Sequence, residues 1–300
     1  GWCNSYEEAE LACLRKLIEI VKERTYFTDI YFDDTNKSMS DLEYELQELV
    51  KLCSNFFPKK WDEDFFKRTW ANKPEANRKR LMELGFSNLD HVLDAGCGYG
   101  HWTFMLGELN KKVTGIEFEK YRCNAAKELR DYFGYKNVQI DQGSMTNTTY
   151  KNELFDGVFT FYAIECTEYR KSLKEIYRVL KPGGLFYLNA ADLGWYIYNI
   201  LTPHNPSADF SPRKWAIESI KASLEYYNTG KFNRTHLAEN IVIPKELIIT
   251  ELKELGFEIL ISGNNGANAL KGKSTWHVIH PEKQYNHWSV YEIICKKKLN

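Results

Sequence analysis

Asp94-Ala-Gly-Cys-Gly-Tyr-Gly100 follows the apolar run His91-Val-Leu and precedes an amphipathic stretch beginning His101-Trp-Thr-Phe. An apolar run that ends in closely spaced glycines is a strand whose exit loop lets the backbone approach a ligand that any Cβ would exclude. The helix that follows points unsatisfied N–H groups at that ligand. The segment therefore predicts a strand-loop-helix unit that holds a nucleotide-type cofactor. A dinucleotide-phosphate fingerprint, G-x-G-x-x-G, would need its third glycine where His101 stands; here the glycines are at 96, 98 and 100. The spacing favours a ligand without a pyrophosphate.

Three further segments extend the pattern. Val113-Thr-Gly-Ile-Glu-Phe118 reads as a second short strand ending in an acid, and Glu117 can accept two hydrogen bonds from ribose hydroxyls. Asn137 to Met145 reads as a third strand with its exit loop. Phe155 to Glu165 reads as a fourth, followed by a helical face of Leu173, Ile176, Tyr177 and Leu180 that Lys181-Pro-Gly-Gly184 stops, and then by a fifth strand, Leu185 to Ala191. Each element alone has a plainer reading: glycines closing tight turns, Glu117 capping a helix, Pro-Gly-Gly merely ending one.

Taken in order, the segments closely resemble motif I and the following strands of the class I S-adenosylmethionine-dependent methyltransferases, over roughly residues 90 to 190. The resemblance implies an α/β fold, a Rossmann-like seven-stranded, mostly parallel sheet with helices on both faces. It implies S-adenosylmethionine as cofactor, held by Asp94, Gly96, Cys97, Gly98, Gly100, Glu117 and Phe118, with Ser144 and Met145 beside the adenine and Tyr162 after strand four. Arg68, on the segment Trp61 to Trp70 that precedes the first strand, is placed near the methionine carboxylate. Ser144 departs from the family, which usually carries Asp there. Two other readings stand beside this one: a nicotinamide-dependent Rossmann oxidoreductase, and a non-catalytic S-adenosylmethionine-binding assembly module.

Composition narrows the class. A net charge of −1, from 40 basic and 41 acidic residues, argues against a nucleic-acid partner held by bulk electrostatics. Lys296-Lys-Lys298 reads as a solvated tail. Seven scattered cysteines, without C-x-x-C or a metal-ligand spacing, point to reduced thiols, no metal site and a cytoplasmic protein. No apolar run approaches a membrane span. Gly1-Trp2 in place of an initiator Met hints at a trimmed chain or a piece of a longer polypeptide.

Two regions depart from a minimal cofactor domain. Residues 1–55 read as a helical extension with two potential capping boxes, Ser5 with Glu8 and Ser40 with Glu43, ahead of the stripes Leu11, Leu14, Ile18, Val21 and Leu46, Leu49, Val50, Cys53. These stripes need burial against the core, against each other, in a homodimer or against a neighbouring domain. Residues 56–300 then form the methyltransferase domain, with an insertion at 192–243 after strand five that is long for a loop and rich in aromatics, including Trp195, Tyr196, Trp215, Tyr226 and Tyr227. In the family such insertions commonly form an acceptor-binding lid; a small satellite core is the plainer account. A helix is expected from about Ser211 to Tyr227, and Trp288 to Cys295 reads as a final strand, which the resemblance implies is the antiparallel seventh. Candidate general bases are Glu165, His204 and His236. The Asn/Asp-Pro-Pro-aromatic motif of nucleic-acid base methylation is absent where Phe161 to Cys166 stands, so a small-molecule acceptor methylated on oxygen or nitrogen, such as a glycan or natural-product hydroxyl or an amine, is the expectation, with protein methylation as an open alternative. Ala163-Ile-Glu165 is locally similar to sterol-type C-methyltransferases, but three residues do not identify a substrate.

Overall fold

The computed structural model describes residues 39–71, 74–202, 210–232, 240–264 and 281–299. His204, His236 and the stripe from Leu11 to Val21 lie outside the described residues, as do the side chains of Ser40 and Glu43. Among the described residues the strands are β1 (His91–Ala95), β2 (Lys112–Glu117), β3 (Val138–Gln142), β4 (Phe155–Phe161), β5 (Leu180–Ala191), β6 (Phe257–Asn264), the short hairpin β7 (Lys283–Gln284) and β8 (His287–Trp288), and β9 (Val290–Lys297). The described helices are α1 (Met39–Cys53), α2 (Lys60–Trp70), α3 (Pro74–Glu83), α4 (His101–Leu109), α5 (Lys120–Phe133), α6 (Tyr169–Val179), α7 (Leu193–Leu201), α8 (Pro212–Thr229) and α9 (Lys245–Leu255).

Seven strands form one sheet in the order β3-β2-β1-β4-β5-β9-β6. Strands β1 to β5 pair in parallel, and β9 runs antiparallel to both neighbours, as the family resemblance implies. Central strands read as continuous apolar runs because helices cover both faces, whereas edge strand β6 alternates buried and open residues. One core, with Leu173, Ile176, Ile248 and Leu252, lies under α6 and α9; the other, with Phe66, Leu81, Phe104 and Leu129, lies under α2 to α5. Leu46, Leu49 and Val50 pack onto this second core with Cys53 fully buried, so the second stripe of the N-terminal region is spent inside this chain.

Two local expectations change. Helix α6 stops at Val179, but Lys181 to Gly184 does not separate it from the next strand: β5 already begins at Leu180, and the glycines form an irregularity inside it, with Gly183 at φ 76°. Lys297 is not in a solvated tail. It is 4% exposed, on β9, and its ammonium donates to the carbonyls of Tyr177 (2.9 Å) and Leu180 (2.8 Å), closing the otherwise open end of α6. The strand order reverses at β1, flanked by β2 and β4. Ligands of open α/β sheets bind in the crevice beyond such a point.

Candidate functional site

A cavity of about 1290 Å³ opens beyond the carboxyl ends of β1, β2 and β4. Gly96, Gly98 and Gly100 hold φ of 85°, 55° and 85°, which a side chain would strain. Their roles differ. A Cβ on Gly96 would lie 2.4 Å from that of Ala163, so this glycine lets the loop pack on the exit of β4. A Cβ on Gly98 would meet nothing within 4 Å and would instead enter the cavity, the space a closely held ligand needs. Gly100 caps α4 without a side-chain acceptor, leaving the first N–H groups of the helix for a ligand.

Two acids converge on this loop. Asp94 is 2% exposed and accepts the Thr103 hydroxyl at 2.6 Å; burial pushes its carboxyl up to about 7, against the lowering effect of that bond. Glu117 accepts the N–H of Gly98 at 2.9 Å through one oxygen and that of Glu119 at 2.8 Å through the other. A carboxylate has about four lone-pair sites, so it can fix the loop and still receive ribose hydroxyls. Cys97, Phe118, Ser144, Met145, Tyr162 and Arg68 line the same cavity. Phe118 is 60% exposed at its mouth. Ser144 is turned into its own loop, bonding the Thr146 hydroxyl at 2.8 Å. Tyr162, at φ 50°, is held by its N–H on Asn189.

Glu165 does not line the cavity. It is 1% exposed in a 3₁₀ turn, Ile164–Cys166, and burial pushes its carboxyl up to about 7 against hydrogen bonds from its own and the Ala191 backbone. Its neighbour Cys166 reaches the cavity instead.

Sequence reasoning missed Asn77 and His101. Both line the cavity, are 4% and 7% exposed, and have a buried nitrogen (Asn77 Nδ2, His101 Nδ1) without a hydrogen-bond partner among the described residues. Burial lowers the His101 pKa to about 4, so its imidazole is neutral. A polar ligand group in the cavity would complete their hydrogen bonding. The signal for His101 was its place as the residue replacing the third glycine; Asn77 had none.

The other half of the cavity is aromatic. Trp61 and Phe65 of α2 stack at 5.4 Å and 8°, facing Trp195, Phe210, Trp215 and Phe232 from the insertion. Tyr196, Tyr226 and Tyr227 turn away: Tyr196 is fully buried under Trp215, Tyr226 donates to Glu168 and Tyr227 to the Val242 carbonyl. The insertion is therefore both a cavity wall and a satellite core.

Residues 86–265 match the profile of a family described as methyltransferase domain. The chain is 35% identical over 157 residues to a demethylmenaquinone methyltransferase of Lactococcus lactis, covering 50% of this chain and 60% of the relative. It is 31% identical over 169 residues to a cycloartenol-C-24-methyltransferase of Arabidopsis thaliana, covering 51% and 48%. The chain thus spans about half the length of the curated relatives it matches. Among solved structures, a geranyl diphosphate methyltransferase in complex with SAM superposes with a TM-score of 0.52 at 13% identity, covering 75% of this chain and 85% of that one. A Pyrococcus horikoshii protein gives 0.52 at 20%, covering 75% and 89%. At such identities the likeness shows the fold alone. The family match over more than half of the chain sets the nicotinamide reading aside, and with the glycine loop, the strand order and the acid at the end of β2 in place, this chain belongs to the S-adenosylmethionine-dependent methyltransferases.

Proposed function

We propose that this protein transfers the methyl group of S-adenosylmethionine to a bulky, mainly apolar small molecule held between α2, α7 and α8. The observation that carries this is a single cavity in which the glycine loop and the aromatic wall face one space of about 1290 Å³. A single small-molecule site occupies roughly 300–1,000 Å³, so two ligands fit side by side. Bound S-adenosylmethionine supplies an electrophilic methyl group on a sulfonium. Glu117 would receive the ribose hydroxyls, the loop of Ser144 and Met145 would hold the base, and Asn77, His101 and Arg68 would hold the amino-acid end. Trp195, Trp215 and Phe232 exclude water and fix the acceptor, and alignment in a dry pocket is worth roughly 7–11 kcal/mol at its limit.

The aromatic wall supports an acceptor held mainly by apolar and ring contact. The relatives named for demethylmenaquinone and for C-24 of cycloartenol agree with that and add carbon to the expected oxygen or nitrogen as the atom methylated. Incubation with S-adenosylmethionine labelled in its methyl group, against a panel of a naphthoquinol, a sterol, a simple phenol, an oligosaccharide and an alkylamine, tests this. Label is expected in the ring-bearing apolar members. Label confined to the oligosaccharide or amine overturns the acceptor class, and cofactor binding without transfer to any acceptor supports the non-catalytic module instead.

A further inference from the structure

Arg122, on α5 and five residues after Glu117, lines the cavity. Its guanidinium pairs with Asp62 of α2 at 3.2 Å, and the Tyr121 hydroxyl donates to the same carboxylate oxygen at 2.9 Å. Asp62 is 3% exposed, so α5 grips α2 through a buried acid. The guanidinium also lies 5.3 Å from the ring centroid of Phe65, 5.6 Å from Trp61 and 5.7 Å from Tyr99 of the glycine loop. Burial opposes its charge, but Glu117, then Tyr121, Tyr99 and Asp62, outweigh it and hold its pKa above the ordinary arginine value. Its Nε is buried without a hydrogen-bond partner among the described residues. One cation thus touches the cofactor loop, feels the ribose acid and carries the helix above them.

From α2 the contact continues into the insertion. Trp61 meets Phe210 at 5.4 Å, Phe210 meets Trp215 at 6.4 Å, and Trp215 stacks on Tyr196 at 5.1 Å. Rings therefore run from the glycine loop to the aromatic wall over the top of the cavity.

We propose that Arg122 is a positioning residue that holds α2 as a shared roof over both halves of the cavity, so that filling the cofactor half closes the acceptor half. This rests on the reading of the cavity as an S-adenosylmethionine site. A ligand on Glu117 removes water from around Arg122. In drier surroundings a guanidinium holds its carboxylate and its aromatic neighbours more tightly. Helix α2 is drawn down, and Trp61 presses Phe210 and the start of α8 into place. By linkage, a ligand in either half then favours binding in the other.

S-Adenosylhomocysteine, which transfers nothing, is the probe. In wild type it should slow hydrogen exchange both in α2 and at residues 210–229. Arg122→Ala should release it at least about 10-fold faster and lose the ligand-induced protection of residues 210–229 even at saturation. Arg122→Lys, which keeps the charge and loses the planar stacking, should fall between. Phe210→Ala should keep wild-type dissociation and protection of α2 while losing protection of α8. If Arg122→Ala raises exchange equally with and without ligand, so that the ligand-induced increment survives, Arg122 is only structural and the proposal fails. Wild-type dissociation in that variant also defeats it. Asp62→Asn provides the same comparison should Arg122→Ala not fold. A wild-type protein that does not bind S-adenosylhomocysteine removes the cofactor reading, and this proposal with it.

Discussion

At the scale of single residues, Glu117 carries the sharpest expectation. Hydrogen bonds to a charged group are worth about 1.5–3 kcal/mol each, so Glu117→Ala should weaken S-adenosylmethionine on the order of 10- to 1000-fold, with Glu117→Gln retaining part of the affinity. Because Glu117 also holds the N–H groups of Gly98 and Glu119, part of that loss comes from a loosened loop. A 2′-deoxyribose analogue separates the two: calorimetry on both proteins with both ligands closes a double-mutant cycle, and strictly additive losses mean that Glu117 does not meet the ribose. Asp94 gives the expected pH dependence. Its carboxyl is raised from 3.8 to about 7, chiefly by burial. The native state therefore keeps a proton that the unfolded chain releases, so its contribution to stability is fullest below about pH 4 and is lost as pH rises through about 7. A cationic ligand reverses the preference and draws the proton off. Affinity for S-adenosylmethionine should rise between about pH 5 and 7 with proton release, seen as a buffer-dependent binding enthalpy, and Asp94→Asn should flatten both.

At the scale of elements, the insertion divides its aromatic residues between wall and scaffold. Trp215 lines the cavity, whereas Tyr227 is a fastener whose hydroxyl donates to the Val242 carbonyl at 2.9 Å. Trp215→Ala should raise the acceptor KM about 10- to 100-fold, the equivalent of losing 1.5–3 kcal/mol of apolar contact, and leave S-adenosylhomocysteine affinity nearly unchanged. Tyr227→Phe should cost about 1 kcal/mol of stability in denaturant titration and leave acceptor KM in place. Equal effects of the two on KM would mean that the wall is drawn wrongly. The sequence could not make this division, because a count of aromatics in the insertion does not say which way each ring faces once α7 and α8 pair. Local signals fared better: the glycine spacing, the acid at the end of β2 and the apolar runs of the strands each depend on neighbours within a few residues. Helix α8 begins at Pro212, one residue past the expected start, with Ser211 accepting from Lys214 N at the cap. What stayed hidden was long-range: Asn77 in the cavity, Arg122 on Asp62, Trp61 on Phe210.

At the scale of the whole molecule, the same distinction explains why α3 sits where it does. Arg80 reaches across the sheet to Glu292 of β9, and its guanidinium also donates to the Tyr187 hydroxyl of β5 at 2.9 Å, while that hydroxyl donates to Glu292 at 3.0 Å. The side chains of the ion pair are 3% and 0% exposed, and the two residues lie 212 positions apart, where no periodicity or motif links them. This triad ties the helix immediately before β1 to the last strand, so Asn77, three residues before Arg80 on α3, is held at the cavity by a contact to a residue more than two hundred positions further along the sequence. Removing one partner of a buried ion pair leaves an uncompensated charge and typically costs 3–5 kcal/mol, whereas replacing both by apolar residues of similar volume is often neutral. Glu292→Gln should therefore lower the denaturation midpoint steeply and, through Asn77, weaken S-adenosylhomocysteine binding. Arg80→Met with Glu292→Leu should recover most of the stability. Whether affinity recovers with it is informative: the triad places α3 by anchoring it, so a double variant that is stable yet still binds weakly means that the hydrogen-bond geometry sets the position of Asn77. Restored affinity means that packing alone does. A Glu292→Gln protein as stable as wild type would remove the triad from the account of how α3 and β9, distant in sequence, build one site.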